Sequence, residues 1–567
     1  MTSTAKPVDQ KPNLQTALAF LNQVKSEMPV EYDTFLDILT QFRSKTVGAE
    51  NVVNIVLELL VGRECLLEGF SQFLPPSCRD SLLERCSLRP ATSISKDAKT
   101  TKKRPTTFES LVGLPPQEPK RKRESAGDMD LRPGALVSSG YSLGRKMTQQ
   151  QIYQAQLKRS LLPPNMGEIW PIIISRIEMA IDRILAERET LIPSIDTDDI
   201  IAGRVDPSVI ARIKEVGVVK IRRTIPDELA KSMNREITED LRHYLKVDPD
   251  RPETYQKIYN EEEPKAFTFG GIQELFYTGT QVEARQNERM TAVRVWLNSL
   301  WESEEEGTGE PLFLPEVETV YVDRWRHRVP GCRWQIGMKD HIDNGAMSRW
   351  ADPAWQQVYG ALFRGELDDY NPWYAGQRTA TAGCVFRSFQ GWLALTAQGP
   401  GDGGLEVVPM LREATAYVML RPFRDDVPSH QFCGAGDTGM TSAGDTMEIS
   451  ARWHAALLRG KISVGRVEAG DSVWWHPDLI HGVEPEHRGT VPSNVLYVPS
   501  TPLCPQNARY LARQRDAYLR GCPPPDFPQL DLEKGSTRLA GVGRLTTLGR
   551  RQMGIDPFPE PPAWQAA

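Results

Sequence analysis

Eight histidines occur in the 567-residue chain, and one of them, His341, stands one residue from Asp343 in "MKDHIDNGAMSRW", a stretch that reads as a strand running into a loop. Two neutral imidazoles and one carboxylate on one face of an ion, with other positions open for a co-substrate and O2, form a non-haem Fe(II) oxygenase centre. His-x-Asp supplies two such ligands from one strand end. The third must come from a strand distant in sequence, and "AGDSVWWHPDLIHGVEP" offers His476 and His481. A Gly-Asp turn opens that strand, and counting from Asp471 to the strand's far end selects His481. His476 then falls inside the segment, as a core residue or a support for the ligands. Taken alone, His-x-Asp is more often a polar loop; the matching Gly-Asp-x9-His gives it chemical meaning.

Ligands so arranged need a β framework. Runs bounded by Gly and Pro predict strands at 216–225 ("VGVVKIRRTI"), 333–338 ("RWQIGM"), 384–396 ("CVFRSFQGWLALT"), 404–411 ("GLEVVPML"), 415–423 ("TAYVMLRPF"), 471–476 ("DSVWWH") and 494–500 ("NVLYVPS"). Helical patterns cover 168–188 and 226–246. Strands spread over so long a unit predict an α+β fold, a jelly-roll barrel with flanking helices.

The chain is too long for one core and, with 40% hydrophobic residues, has apolar material for more than one. A net charge of −6 gives no reason to expect direct nucleic-acid binding or a membrane surface. No apolar run reaches the ~18 residues of a bilayer span, and "MTSTAKPVDQKPN" lacks the apolar core of a secretory signal. Eight scattered Cys without a Cys-x-x-Cys pair argue against structural zinc and a disulfide framework, and predict a reducing, intracellular setting.

Residues 14–76 carry helical periodicity in four runs, broken near Pro29, Gly48 and Gly62. A small all-α four-helix domain is expected there. "ALAFLNQVKSEMPVEYDTFLDILTQF" and "VLELLVGRECLLEGFSQFLP" resemble the paired amphipathic helix domain of transcriptional corepressors. The resemblance implies a cleft that takes up an amphipathic helix of a transcription-related partner. A generic helical bundle used for dimerisation is the plainer reading. Residues 77–145, rich in Ser, Thr, Pro, Lys and Arg, read as a disordered basic linker. Its clusters "KKR" (102–104) and "KRKR" (120–123) predict nuclear import, against the simpler reading of a solvated charge run.

Residues 146–556 resemble an uncharacterised bacterial and fungal family of the Fe(II)/2-oxoglutarate dioxygenase superfamily, more distantly phytanoyl-CoA hydroxylase. "IKEVGVVKIRRTIP", "RWQIGMKDHIDNGAMSRW", "GGLEVVPMLREATAYVMLRPF", "GDSVWWHPDLIHGVEP" and "NVLYVPSTPLCPQNARYL" carry it. The resemblance implies a double-stranded β-helix, Fe(II) held by His341, Asp343 and His481, and 2-oxoglutarate consumed with O2 to oxidise a substrate C–H bond; a tail follows at 557–567. One departure stands out. Relatives hold the far carboxylate of 2-oxoglutarate with a cation on the strand after the distal His, but "NVLYVPS" has none and Arg488 comes too early, in a polar turn. Some superfamily members place that cation on an intermediate strand, which here would be Arg387, with Arg349, Arg421 and Arg488 as further candidates.

"QGPGDGGLEVVP" lacks the Gly-Lys-Ser/Thr ending of a phosphate loop and reads as a tight turn. The many Trp residues read as core, with one or two facing the iron. The sequence thus points to an iron- and 2-oxoglutarate-dependent oxygenase tethered to a helix-binding domain in the nucleus. The alternative is a non-catalytic corepressor-type adaptor or small-acid sensor that uses the barrel as a scaffold.

Overall fold

The computed structural model describes residues 148–245, 271–331, 338–343, 345–381, 385–434, 446–527 and 540–558, with Leu66, Phe70 and Glu533. The chain divides into two units, residues 1–140 and 141–567. In the first, Leu66 and Phe70 are helical, one turn apart and buried, as the periodicity there predicts. The rest of the expected four-helix domain (14–76), the linker (77–145), the strand at 333–337 and the tail beyond residue 558 lie outside the described residues.

The second unit is α+β. Its longer helices are α1 (Gln149–Ser160), α2 (Met166–Glu187), α3 (Pro207–Val216), α4 (Asp227–Leu245), α5 (Glu288–Asn298), α6 (Leu411–Leu420) and α7 (Pro505–Leu519). Each begins or packs for a visible reason. Thr148 caps α1 in a reciprocal box with Gln151. In α2, Ile169, Ile173, Ile177, Ile181 and Ile184 recur at helical spacing and are all buried, so one stripe faces the core. Asp206 and Pro207 start α3, and Gly217, at φ 75°, ends it.

Fourteen strands are seen among the described residues: β1 (Ser194–Asp196), β2 (Val218–Arg222), β3 (Ile272–Gln273), β4 (Leu314–Glu318), β5 (Trp325–Arg328), β6 (His341–Ile342), β7 (Gln390–Ala394), β8 (Leu405–Val407), β9 (Met447–Glu448), β10 (Ile462–Ser463), β11 (Ser472–Trp475), β12 (His481–Val483), β13 (Ser493–Tyr497) and β14 (Pro502–Leu503). A large sheet runs in the order β1-β2-β11-β7-β13-β5-β3, and a small one in the order β10-β8-β12-β6-β9; β14 pairs with β4. Every pairing except β1 with β2 is antiparallel.

The large sheet is buried along its centre, with Val473, Trp474, Leu393, Val495 and Leu496 all at 1% exposure or less. Gly391 pairs with Trp474, and a Cβ at Gly391 would come within 2.3 Å of that indole, so only glycine lets the ring lie across β7. Arg328 ties the sheets together: its Nη1 donates to the carbonyls of Gly403, before β8, and Glu484, after β12.

One expected strand is a helix. "TAYVMLRPF" was to be a strand on its β-branched and aromatic content, yet Leu411–Leu420 forms α6, packed against α2 and α3. Residues 414 to 420 are all buried, so the segment shows no exposed face by which the helical period could be read. Ala414 and Ala416 and the tertiary packing prevail over strand preference.

Candidate metal centre

β6 and β12 are adjacent antiparallel strands in which His341 is directly opposite His481. Residues opposed in this way place their side chains on the same face of a sheet. The two imidazoles accordingly meet, ring centroids 4.3 Å apart, and both residues are 6% exposed. Gly482 permits this approach, since a Cβ there would lie 2.5 Å from the Asp340 carboxylate beside β6. Asp343 follows β6, with its Oδ1 3.3 Å from His341 Nε2 and its Oδ2 3.7 Å from His481 Nε2. One donor atom from each of the three lies within 4.8 Å of the others, an arrangement able to hold a metal ion.

The imidazoles are turned for ligation. His341 Nδ1 lies 2.6 Å from the Lys339 carbonyl and His481 Nδ1 2.9 Å from the Leu479 carbonyl. A carbonyl only accepts, so each Nδ1 carries the proton and each Nε2 keeps its lone pair toward the other ligands. Nε2 of His341 is buried without a hydrogen-bond partner among the described residues, which leaves it a coordination site. Burial, and then His341 beside it, push the His481 imidazole down to about 4, so it is neutral at physiological pH. Burial would raise the Asp343 carboxyl, but His341, His481 and Arg387 outweigh it and hold the group ionised, well below the usual carboxylate range.

A second layer fixes the carboxylate and its loop. Gln390 Nε2, on β7, donates to Asp343 Oδ2 at 2.7 Å. Arg349 Nη2 donates to the Asp343 carbonyl at 2.8 Å, while Nη1 donates to Asp478 Oδ1 at 2.7 Å. Asp478 also accepts from Arg378 at 2.7 Å and Tyr359 at 3.0 Å. Arg349 thus joins the loop carrying Asp343 to the turn that leads, three residues later, into His481.

The three residues face a cavity of about 600 Å3 between the sheets, walled by β5, β7, β11 and β13 on one side and β6, β8 and β12 on the other. Arg387, the intermediate-strand cation, lines it just before β7, its guanidinium carbon 5.1 Å from the Tyr321 ring centroid. The other expected cations stand elsewhere. Arg421 is bidentate on Asp426 at 2.8 and 2.6 Å, Arg349 is engaged as above, and Arg488 is exposed in the turn after β12; none of the three lines the cavity. His476 is a core residue, stacked 4.9 Å from Trp301 and bonded through Nε2 to the Pro372 carbonyl. Of the Trp residues, Trp392 and Trp475 line the cavity.

Sequence reasoning missed Arg326. It lies on β5, lines the cavity at 4% exposure, and donates from Nη2 to the Gly403 carbonyl at 3.2 Å. Its Nε has no hydrogen-bond partner, and no carboxylate pairs with it, among the described residues. The signal was available: in "DRWRHR" arginines recur at 324, 326 and 328, the period-2 pattern of one strand face.

The family profile described as Gig2-like matches residues 147–555, and that of the paired amphipathic helix repeat matches residues 31–74. The uncharacterised protein YbiU of Escherichia coli K12 is 35% identical over 387 residues, 66% of this chain and 88% of its own. The crystal structure of GlcNAc Inducible Gene 2 (GIG2) from Candida albicans superposes with a TM-score of 0.61 at 25% identity, covering 72% of this chain and 91% of that one. The transcriptional regulatory protein SIN3 of Saccharomyces cerevisiae is 25% identical over 286 residues, 47% of this chain but 16% of its own length. No helix among the described residues is long and apolar enough to cross a membrane.

Proposed function

The chain belongs to the Gig2-like family, and from that premise and the geometry of the cavity we propose that residues 146–556 form an Fe(II)- and 2-oxoglutarate-dependent oxygenase. The convergence of His341, Asp343 and His481 carries the reading. Two imidazoles and one carboxylate, with the cavity open beside them, are the donor set suited to Fe(II) with positions left for co-substrate and O2. The strand order supports it. From β5 to β13, leaving aside β9, successive strands fall in the large, small, large, small, small, large, small and large sheet, as in a double-stranded β-helix.

Iron with 2-oxoglutarate would supply the activation of O2 for oxidation of a substrate C–H bond. The chain's own residues bind and orient. The His341 and His481 Nε2 atoms and the Asp343 carboxylate would hold the ion, Gln390 and Arg349 fix the carboxylate and its loop, and Trp475 packs beside His481, 5.1 Å between ring centroids. The far carboxylate of 2-oxoglutarate goes to a cation of the cavity. Arg387 was expected from sequence. We assign Arg326 instead, because a buried guanidinium with no acid partner among the described residues is costly until an anion answers it, and its fork can meet both oxygens.

The first experiment is anaerobic Fe(II) titration of the full chain with and without 2-oxoglutarate, following the visible charge-transfer band of the chelate. A band in the wild type, with iron binding lost in folded His341→Ala and His481→Ala, is the expected result. Unchanged iron content in either folded variant refutes the assignment.

The match to the paired amphipathic helix repeat supports a second role, in which residues 14–76 take up an amphipathic helix of a transcription-related protein and the basic linker directs the chain to the nucleus. Capture of the same partners by the full chain and by a chain lacking residues 1–76 would refute this role.

A further inference from the structure

β5, β13 and β7 lie side by side in the large sheet, and their pairing sets Arg326 opposite Val495 and Tyr497 opposite Trp392. Side chains two apart on a strand share a face, and directly opposed residues share it too. Arg326 on β5, Tyr497 on β13, and Trp392 and Gln390 on β7 therefore stand on one face, and all four line the cavity. At one end of this row Gln390 braces the Asp343 carboxylate, and at the other stands Arg326. Neighbouring strands are ~5 Å apart, so the row spans ~10 Å from β7 to β5. Tyr497 is on the strand between.

Arg326 does not answer a whole carboxylate by itself. Its Nη2 already donates to the Gly403 carbonyl at 3.2 Å, which fixes the fork, while an ionised carboxylate brings about four acceptor sites. A buried acceptor left unanswered is costly. The other arginines of that strand face are engaged: Arg324 pairs with Asp323 at 3.2 Å and lies 4.5 Å from the Phe527 ring centroid, and Arg328 holds the Gly403 and Glu484 carbonyls. β13 carries no cation, and what it offers instead is the hydroxyl of Tyr497. Tyr497 is half-buried, and its Oη makes no hydrogen bond among the described residues. Burial pushes the hydroxyl up and Arg326 is the foremost charge acting against that shift, so the group keeps its proton and is a donor within the field of the guanidinium.

We propose that Tyr497 is the second half of the seat for the far carboxylate of the co-substrate, its hydroxyl donating to one oxygen and Arg326 to the other, and that the pair selects the diacid by length. The seat is on β13 and β5, whereas the carboxylate ligand of the ion is held from β7. A diacid has to bridge that ~10 Å row, which suits five carbons held at both ends and leaves a shorter chain short of the seat. The Trp392 ring, opposite Tyr497, gives its methylene groups an apolar floor. This rests on the oxygenase reading above.

The test uses the full chain, anaerobic and loaded with Fe(II). The charge-transfer band reports 2-oxoglutarate, and calorimetry reports oxalate, which chelates the ion but has no far carboxylate. Y497F keeps the ring and removes only the hydroxyl. It should weaken 2-oxoglutarate tenfold or more and leave oxalate within threefold, and R326Q should show the same split. Binding of 2-oxoglutarate within threefold of wild type in folded Y497F overturns the proposal. So does an equal weakening of oxalate, the mark of a loosened centre rather than a lost anchor. The wild type gives a second answer that needs no variant: oxaloacetate and 2-oxoadipate, one carbon shorter and one longer, should each bind at least tenfold more weakly than 2-oxoglutarate. Equal affinities for the three overturn the selection by length. Each of these failures, beside an intact band, falls on this inference alone; no band in the wild type overturns the oxygenase reading with it.

Discussion

Replacing Arg349 with methionine separates a residue that holds the fold together from one that sets the metal centre. Arg349 is 1% exposed and bridges Asp478 at 2.7 Å and the Asp343 carbonyl at 2.8 Å. Burial would raise the Asp478 carboxyl, but Arg378 and Arg349 outweigh it and hold it well below the usual carboxylate range, so the group is a buried anion served by two cations. Removing one partner of a buried pair costs ~3–5 kcal/mol; since Arg378 stays on Asp478, the expected loss lies at the lower end, ~3 kcal/mol. Arg378→Met should cost about as much, because it takes the other cation from the same carboxylate. Arg349 alone of the two touches the Asp343 segment. Arg349→Met should therefore weaken Fe(II) binding by a further ~10–100-fold, whereas Arg378→Met should leave it within ~3-fold. Urea unfolding gives the first quantity and anaerobic Fe(II) titration the second. Equal iron affinities in the two variants, at equal stability loss, would refute the view that Arg349 positions the ligand loop.

Gln390→Leu removes the donor to Asp343 Oδ2, and iron affinity should fall ~10-fold in a protein whose unfolding midpoint is little changed. His476, pushed down to about 3, and His454, pushed down to about 4, are both neutral mainly because they are buried. Their folded pKa values lie below the unfolded value of ~6.5, so the unfolded chain takes up protons first: their contribution is complete above about pH 6.5 and is lost as pH falls toward 4, at ~1.4 kcal/mol per unit for each group. His481, pushed down to about 4, adds to the same fall. Urea midpoints measured from pH 7 to 5 should show stability falling with pH, and His476→Gln should make that fall shallower without abolishing it. Cys433 is buried and its thiol pushed up to about 12, and Cys504 likewise to about 11, so both should resist iodoacetamide at pH 8 in the native protein and react on unfolding, as counted by mass spectrometry.

How much of this was legible beforehand depended on whether a residue's role shows in local pattern. Strands at 216–225, 471–476 and 494–500 are visible because short β-branched and aromatic runs end at turn residues, and β2, β11 and β13 lie within them or one residue outside. The helix expected at 168–188 is α2 almost to the residue, since its buried isoleucines repeat every three or four positions. α6 was misread because residues 414 to 420, past its first turn, are all buried and show no polar face. His341, Asp343 and His481 could be nominated from type and spacing, and the structure brings them together. Arg326 was not nominated at all, because what sets it apart is the absence of a paired carboxylate among the described residues, and that is a property of neighbours far away in sequence.

The opposition of His341 and His481 across β6 and β12 has a bearing on folding. β6 is two residues long and β12 three, too short for hydrophobic alternation to fix their alignment strongly. A slip of one residue would present Ile480 or Gly482 where His481 should stand and turn the imidazole to the opposite face. An ion seated between the two rings would act as a pin through the ladder, admitting one alignment and rejecting its neighbours, so that loading the centre and registering the small sheet become a single event.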